Sequence, residues 1–255
     1  FNKILAKEML PYQNEFVTVT NIHALAFNNV GKDYIVKDVN IEDVRMLLDV
    51  EEPRECKALI ANLKLFFSSV EKTTVNPLWQ EMLNRNLCMT HDAYLKLYQL
   101  SNPVLDYDII LFDEVQDATD CIMDIISTQN ACKVMVGDIN QQIYNFRGVC
   151  NPFNYKNDVQ FNLSNTFRFG PDLAHFATTF LDDYCLKHNE IPIKSTSAND
   201  TKIVTEYSGK EVVTKISKTN ESLMVDALTF DGNVELFNVA IDFDEEVDFA
   251  KELVD

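Results

Sequence analysis

The sequence predicts an α/β fold in two parts, a mainly parallel sheet interrupted by an all-helical insertion and then a second, incomplete α/β domain. Three observations carry this expectation. Short runs rich in β-branched and aromatic residues alternate with helical stretches on either side of the middle of the chain. Residues 30–103 instead show apolar side chains at helical spacing throughout. After Asn151-Pro152 the alternating texture resumes. The expected divisions are residues 1–29 together with 104–154, the insertion 30–103, and 155–255.

Phe16 to Thr20 reads as the first strand, Phe-Val-Thr-Val-Thr. The insertion supplies helices over Ile41 to Val50, Glu55 to Val70, Asn76 to Asn86 and Thr90 to Leu100, with Leu59, Leu63, Phe66, Phe67 and Val70 along one face of the second. Asp108 to Phe112 is a strand whose near-continuous apolar run suits cover on both faces. Lys133 to Val136 is the next and ends at Gly137-Asp138. Val159 to Leu163 opens the second domain, and Pro171 to Leu186 follows as a helix with Pro in its first turn. Strands around Ile203 and Val212 and a helix from Glu221 to Leu228 complete the pattern.

With 46% hydrophobic and 24% charged residues, six Gly and seven Pro, the composition is that of a folded chain. No apolar run approaches the ~20 residues of a membrane helix, and no basic stretch leads into an apolar segment at the amino terminus. Membrane insertion and secretion are therefore not expected, and an intracellular setting is. Cys56, Cys88, Cys121, Cys132, Cys150 and Cys185 are scattered and form no C-x-x-C pair, which favours reduced thiols over a zinc site or a disulfide framework. The net charge of −18 argues against a surface covered in phosphate contacts but leaves room for a local groove. Much of the excess lies from Asp231 to Asp255, where nine acidic residues face Lys251, the pattern of a solvated helix face. The first residue is Phe1 rather than Met, so an upstream segment is expected.

The chemistry concentrates at two strand ends. Ile109 to Phe112 delivers Asp113 and Glu114 at its carboxyl end, the edge at which parallel sheets bind ligands. An Asp there can hold Mg²⁺ and the following Glu can polarise an attacking water, as phosphoryl transfer requires. Taken alone, such a pair is as often a turn or a helix cap. Beyond the following strand comes Gly137-Asp138-Ile139-Asn140-Gln141-Gln142-Ile143-Tyr144-Asn145-Phe146-Arg147-Gly148. Gln141 can sense a terminal phosphate, and Tyr144 and Phe146 offer faces for stacking unpaired bases, or are ordinary core rings.

Asp-Glu-x-Gln-Asp followed by Gly-Asp-x-x-Gln-x-Ile-Tyr-x-Phe-Arg-Gly closely resembles motifs II and III of superfamily 1A helicases, the UvrD/Rep group. Phe1-Asn2-Lys3 resembles the end of motif Ia, and Asn21-Ile22-His23-Ala24-Leu25-Ala26 resembles motif Ib with Asn21 in place of the usual Thr. Leu163-Ser164-Asn165-Thr166-Phe167-Arg168 is similar to motif IV, and Ile216 to Asn220 to the R-T/S-N segment, with Lys218 where Arg is usual. The stretches Thr90 to Leu100 and Phe167 to Pro171 look most like the F-box DNA helicase 1 subgroup. The resemblance implies RecA-like domains of the P-loop NTPase type, ATP and Mg²⁺ as ligands, and 3′ to 5′ movement on single-stranded DNA, possible pathways being recombination and repair. It further implies Asp113 on the metal, Glu114 activating water, Gln141 and Arg168 at the γ-phosphate and Phe167 on the adenine, between two domains. Asn2, His23, Tyr144, Phe146 and Arg147 would meet DNA, although a lone His such as His23 is as often a core residue. A eukaryotic source would imply the nucleus; protein partners are unknown.

No G-x-x-x-x-G-K-[ST] loop and no motif V or VI occurs in these residues, so they are expected to be an interior portion of a larger protein or a truncated product. A rival reading is a decayed module that only binds DNA or a protein. Retention of Asp113, Glu114, Gln141 and Arg168 opposes it, and Gln116-Asp117 with the Gln141 to Arg147 run opposes an unrelated ATPase such as a transporter subunit.

Overall fold

The computed structural model describes residues 7–142, 158–184 and 192–198, and the single residues Thr201, Ile203, Ser222 and Val225. The chain divides into two compact units, residues 1–162 and 163–255.

In the first unit the helices follow the sequence periodicity closely. They are α1 (Ile22–Ala26), α2 (Ile41–Leu48), α3 (Pro53–Ser68), α4 (Pro77–Leu83) and α5 (His91–Leu100). Side-chain caps set most of their starts, by satisfying amides that a first turn leaves unpaired. Asn21 Oδ1 accepts from Ala24 N at 2.8 Å, so the Asn that stands in place of Thr does the capping work of either residue. Asn40 and Asp43 form a reciprocal capping box, and Thr90 accepts from Ala93 N. Pro occupies the first turn of both α3 and α4. The segment is not purely helical, because Val36 and Met89 form a parallel bridge, with Lys37 N donating to Met89 O and Met89 N to Ile35 O.

Strand β1 (Ile109–Phe112), helix α6 (Asp120–Ser127) and strand β2 (Cys132–Met135) make a β-α-β unit, and the strands pair in parallel from Ile109 opposite Cys132 to Phe112 opposite Met135. Ile110, Phe112 and Met135 face a continuous core with Ile122, Met123, Ile125 and Ile126 of α6 and Leu63, Phe66, Phe67, Trp79 and Leu95 of the helical segment. Trp79 packs edge-on to Phe66 and Phe67, each at 5.7 Å between ring centres. Cover on both faces of β1, expected from its composition, is not found among the described residues: Ile109 and Leu111 are 58% and 76% exposed, whereas the described helices pack on the face that carries Ile110 and Phe112.

Phe16 to Thr20 forms no strand either. Asn14 Oδ1 instead accepts from the amides of Phe16 and Val17, a local turn that competes with sheet pairing, and Phe16 is 87% exposed.

The second unit has a β-α-β order in which both strands lie elsewhere than expected, at Asn165 rather than Val159 to Leu163 and at Lys194 rather than around Ile203. Val159 to Leu163 is exposed and unpaired with any strand, whereas β3 (Asn165–Thr166) pairs in parallel with β4 (Lys194–Ser195) across α7 (Pro171–Tyr184). Ser195 Oγ donates to Phe169 O and Ile193 N to Thr178 Oγ1, locking strand to helix. Ile203 lies in no strand, and Ser222 and Val225 are helical; Val212 lies outside the described residues. Across both units the fold is mixed α/β with small parallel sheets.

Candidate functional site

At the carboxyl end of β1 the chain turns abruptly. Glu114 adopts φ 53°, ψ 40°, a left-handed conformation that costs a side-chain-bearing residue roughly 1–2 kcal/mol. Such strain persists only where the surroundings enforce it. Here Glu114 N donates to Asp113 Oδ1 at 2.9 Å, and Val115 N donates to Val136 O at 3.0 Å. A short 3-10 turn, Val115–Asp117, follows. Both Asp113 and Glu114 are exposed at this edge.

The end of β2 lies beside it. Gly137 leads to Asp138, whose carboxylate accepts from Asn140 N and from Gln141 Nε2, both at 2.9 Å, and so caps a second 3-10 turn, Ile139–Gln141. Gln141 is exposed at the end of that turn. Motifs far apart in sequence are thus adjacent because the parallel register ends both strands at one edge.

Gln116 joins the two turns. Its Nε2 donates to Glu114 Oε2, its Oε1 accepts from Asp138 N at 3.1 Å, and its main-chain oxygen accepts from Gln142 Nε2 at 3.0 Å. The side chain is 2% exposed. Gly137 permits this approach: a Cβ there would stand 2.4 Å from Gln116 Oε1 and 2.9 Å from Val115 Cγ1. The sequence places Gln116 within the acidic motif but gives no sign of its bridging role, which arises only once the two strand ends meet.

The two turns are acidic. Asp113, Glu114, Asp117 and Asp138 cluster on these turns, and no Lys or Arg forms an ion pair with them among the described residues. Burial, and then the charge of Glu114, pushes the Asp117 carboxyl above its ordinary range, and Asp117 Oδ1 is buried without a hydrogen-bond donor. Carboxylate oxygens are the hard donors that suit Mg²⁺, and Asp113 stands exposed at this edge, but among the described residues no three His, Cys, Asp or Glu side chains come together as a metal-holding group.

His23 stands elsewhere, half-buried at α1, with its ring edge-on to Tyr94 at 6.0 Å and to His91 at 6.4 Å. Burial lowers its pKa to about 4 against the opposing charge of Asp92. The ring is therefore neutral at neutral pH and brings no positive charge.

In the second unit, Phe167 and Arg168 follow β3 directly. Phe167 is 83% exposed, with its flat face accessible, and Arg168 is exposed with its amide donating to Thr166 Oγ1. Asn2, Tyr144, Phe146 and Arg147 lie outside the described residues.

Comparison with known proteins meets the same stretch. The UvrD/REP helicase N-terminal domain model matches residues 50–161, which contain both acidic turns and Gln141. The F-box DNA helicase 1 of Gallus gallus is 29% identical over 289 aligned residues, covering 94% of this chain and 28% of that protein. The F-box DNA helicase protein 1 of Schizosaccharomyces pombe is 42% identical over 112 residues, 40% of this chain and 12% of that protein. The chain therefore spans less than a third of either relative.

Proposed function

We propose that the chain, which is similar to the UvrD-like helicases over residues 50–161 and to F-box DNA helicases over most of its length, is the part of a DNA helicase motor that hydrolyses ATP and couples hydrolysis to 3′ to 5′ movement on single-stranded DNA. The observation that carries this is the Gln116 bridge, which holds Glu114 and the Gln141 turn in one hydrogen-bonded assembly at the carboxyl edge of a parallel sheet. Such an assembly supplies a base and a phosphate sensor from separate motifs.

In the proposed mechanism Asp113 would hold Mg²⁺, which would supply positive charge against that of the triphosphate. Glu114 accepts hydrogen bonding from the attacking water and draws off its proton as the bond to the γ-phosphorus breaks, releasing ADP and phosphate. Gln141 has two amide hydrogens; one stays on Asp138 and the other is available to a γ-phosphate oxygen. Arg168 and Phe167 are assigned the γ-phosphate and the adenine on their motif resemblance, supported by their exposure. Tyr144 and Phe146 would stack bases, with Asn2, His23 and Arg147 as further contacts to the strand. The phosphate-cradling loop must come from residues other than these. Residues 30–103 are assigned as the helical insertion of the first motor domain, and a role in recombination or repair is proposed from the relatives' subgroup.

Hydrolysis of ATP by the complete protein, measured with and without a single-stranded oligonucleotide, tests the proposal. Turnover that rises with the oligonucleotide is the expected result. Oligonucleotide binding with no turnover would replace the motor with a binding module.

A further inference from the structure

We infer that Gln116 is a positioning residue for hydrolysis, aiming the Glu114 carboxylate and tying that aim to the turn that carries Gln141. The inference rests on the ATPase proposal above and deepens it. Glu114 is exposed, on a left-handed backbone, and the hydrogen bond from Gln116 Nε2 is what fixes its carboxylate among the described residues. Gln116 itself is buried, and both ends of its amide are engaged, the nitrogen on Glu114 and the oxygen on Asp138 N–H.

A carboxamide meets both demands from one rigid plane. A Glu at this position would keep an acceptor for Asp138 N–H but set like charge against Glu114; a Lys would donate without accepting, and an apolar residue would do neither. The same amide plane therefore reports movement. Asp138 holds Gln141, so a phosphate that draws Gln141 shifts Asp138, and the shift passes through the rigid amide to the base. Gly137 keeps the path short, because any side chain there would push Gln116 away. This gives the strained turn at Glu114 a purpose: it presents the carboxylate outward while leaving the buried amide within reach.

The test compares wild type, Gln116→Glu and Glu114→Gln in the complete protein. It reads kcat and KM for DNA-stimulated ATP hydrolysis, binding of a fluorescent ATP analogue, and thermal melting. For Gln116→Glu the expected result is a fall in kcat of about 10- to 100-fold, with KM and analogue affinity within about threefold of wild type and a melting transition that is lowered but still cooperative and above the assay temperature. If Gln116→Glu does not fold, Gln116→Met, uncharged and of similar length, carries the same expectation. Unchanged kcat in the folded Gln116 variant alongside lost turnover in Glu114→Gln would overturn the positioning role and leave the ATPase proposal standing. A KM that rises while kcat holds would also overturn it, because Gln116 would then serve binding. Unchanged turnover in Glu114→Gln would overturn the ATPase proposal and this inference with it.

Discussion

Replacing Gly137 with Ala tests whether the two acidic turns are packed as closely as described. The added methyl would stand 2.4 Å from Gln116 Oε1, 2.9 Å from Val115 Cγ1 and 3.2 Å from Gln116 N. The last is a backbone atom and Val115 is buried, so relief by rotating one flexible side chain is insufficient. Forcing a methyl group into such a contact costs roughly 1–3 kcal/mol. If Gln116 swings aside instead, the Asp138 amide loses its acceptor and Glu114 its donor, at about 1 kcal/mol for each bond given up. The two routes together predict a loss of roughly 1–3 kcal/mol. The sequence contains a single tryptophan, Trp79, 8% exposed against Phe66 and Phe67, so its fluorescence during urea unfolding reports on this core directly. The double variant Gly137→Ala with Gln116→Ala removes the nearest contact, and its cost should fall short of the sum of the single costs by more than ~0.5 kcal/mol. A Gly137→Ala stability within ~0.5 kcal/mol of wild type would refute the close packing.

Two other predictions follow from the same structure. Lys96 is fully buried, with its ammonium over the Phe66 ring at 4.4 Å and donating to Ser69 O at 2.8 Å, and burial lowers its pKa to about 8. The unfolded chain therefore binds more protons than the folded one between about 8 and the ordinary 10.5, and stability should rise with pH across that interval. Burial of Cys121, which raises its pKa from 9.0 to about 12, opposes the rise above pH 9.0, so the clean window is pH 8 to 9. Urea unfolding there should show a gain of up to ~1.4 kcal/mol that vanishes in Lys96→Met; a flat profile in wild type contradicts it. Tyr144→Ala in the complete protein should weaken binding of a single-stranded oligonucleotide at fixed salt by ~1–3 kcal/mol, and an unchanged affinity would return Tyr144 to a core role.

What the sequence reveals and what it hides divide on physical lines. The helices from Ile41 to Leu100 were legible because amphipathic periodicity and side-chain caps are local properties. The strands at Ile109 and Cys132 were legible for the same reason, and their register could be inferred as parallel from the helix between them. Phe16 to Thr20 and Val159 to Leu163 carry equally good strand patterns and form none, because a strand exists only with a partner and the local pattern does not encode one. Lys96 sits in a helix where a lone lysine reads as surface, and only the packing of α3 against α5 reveals that it is buried. At the site, Asp113, Glu114 and Gln141 were recognisable as motif residues, whereas the bridge made by Gln116 depends on a separation closed by the sheet.

Hydrolysis as proposed requires Glu114 to act on water rather than only to shape a turn. The most direct measurement is DNA-stimulated ATP turnover by the complete protein carrying Glu114→Gln, made alongside its affinity for ATP. Turnover abolished with ATP still bound is the predicted result, since the amide keeps the size of the side chain and loses its basicity. Turnover equal to wild type would contradict the account.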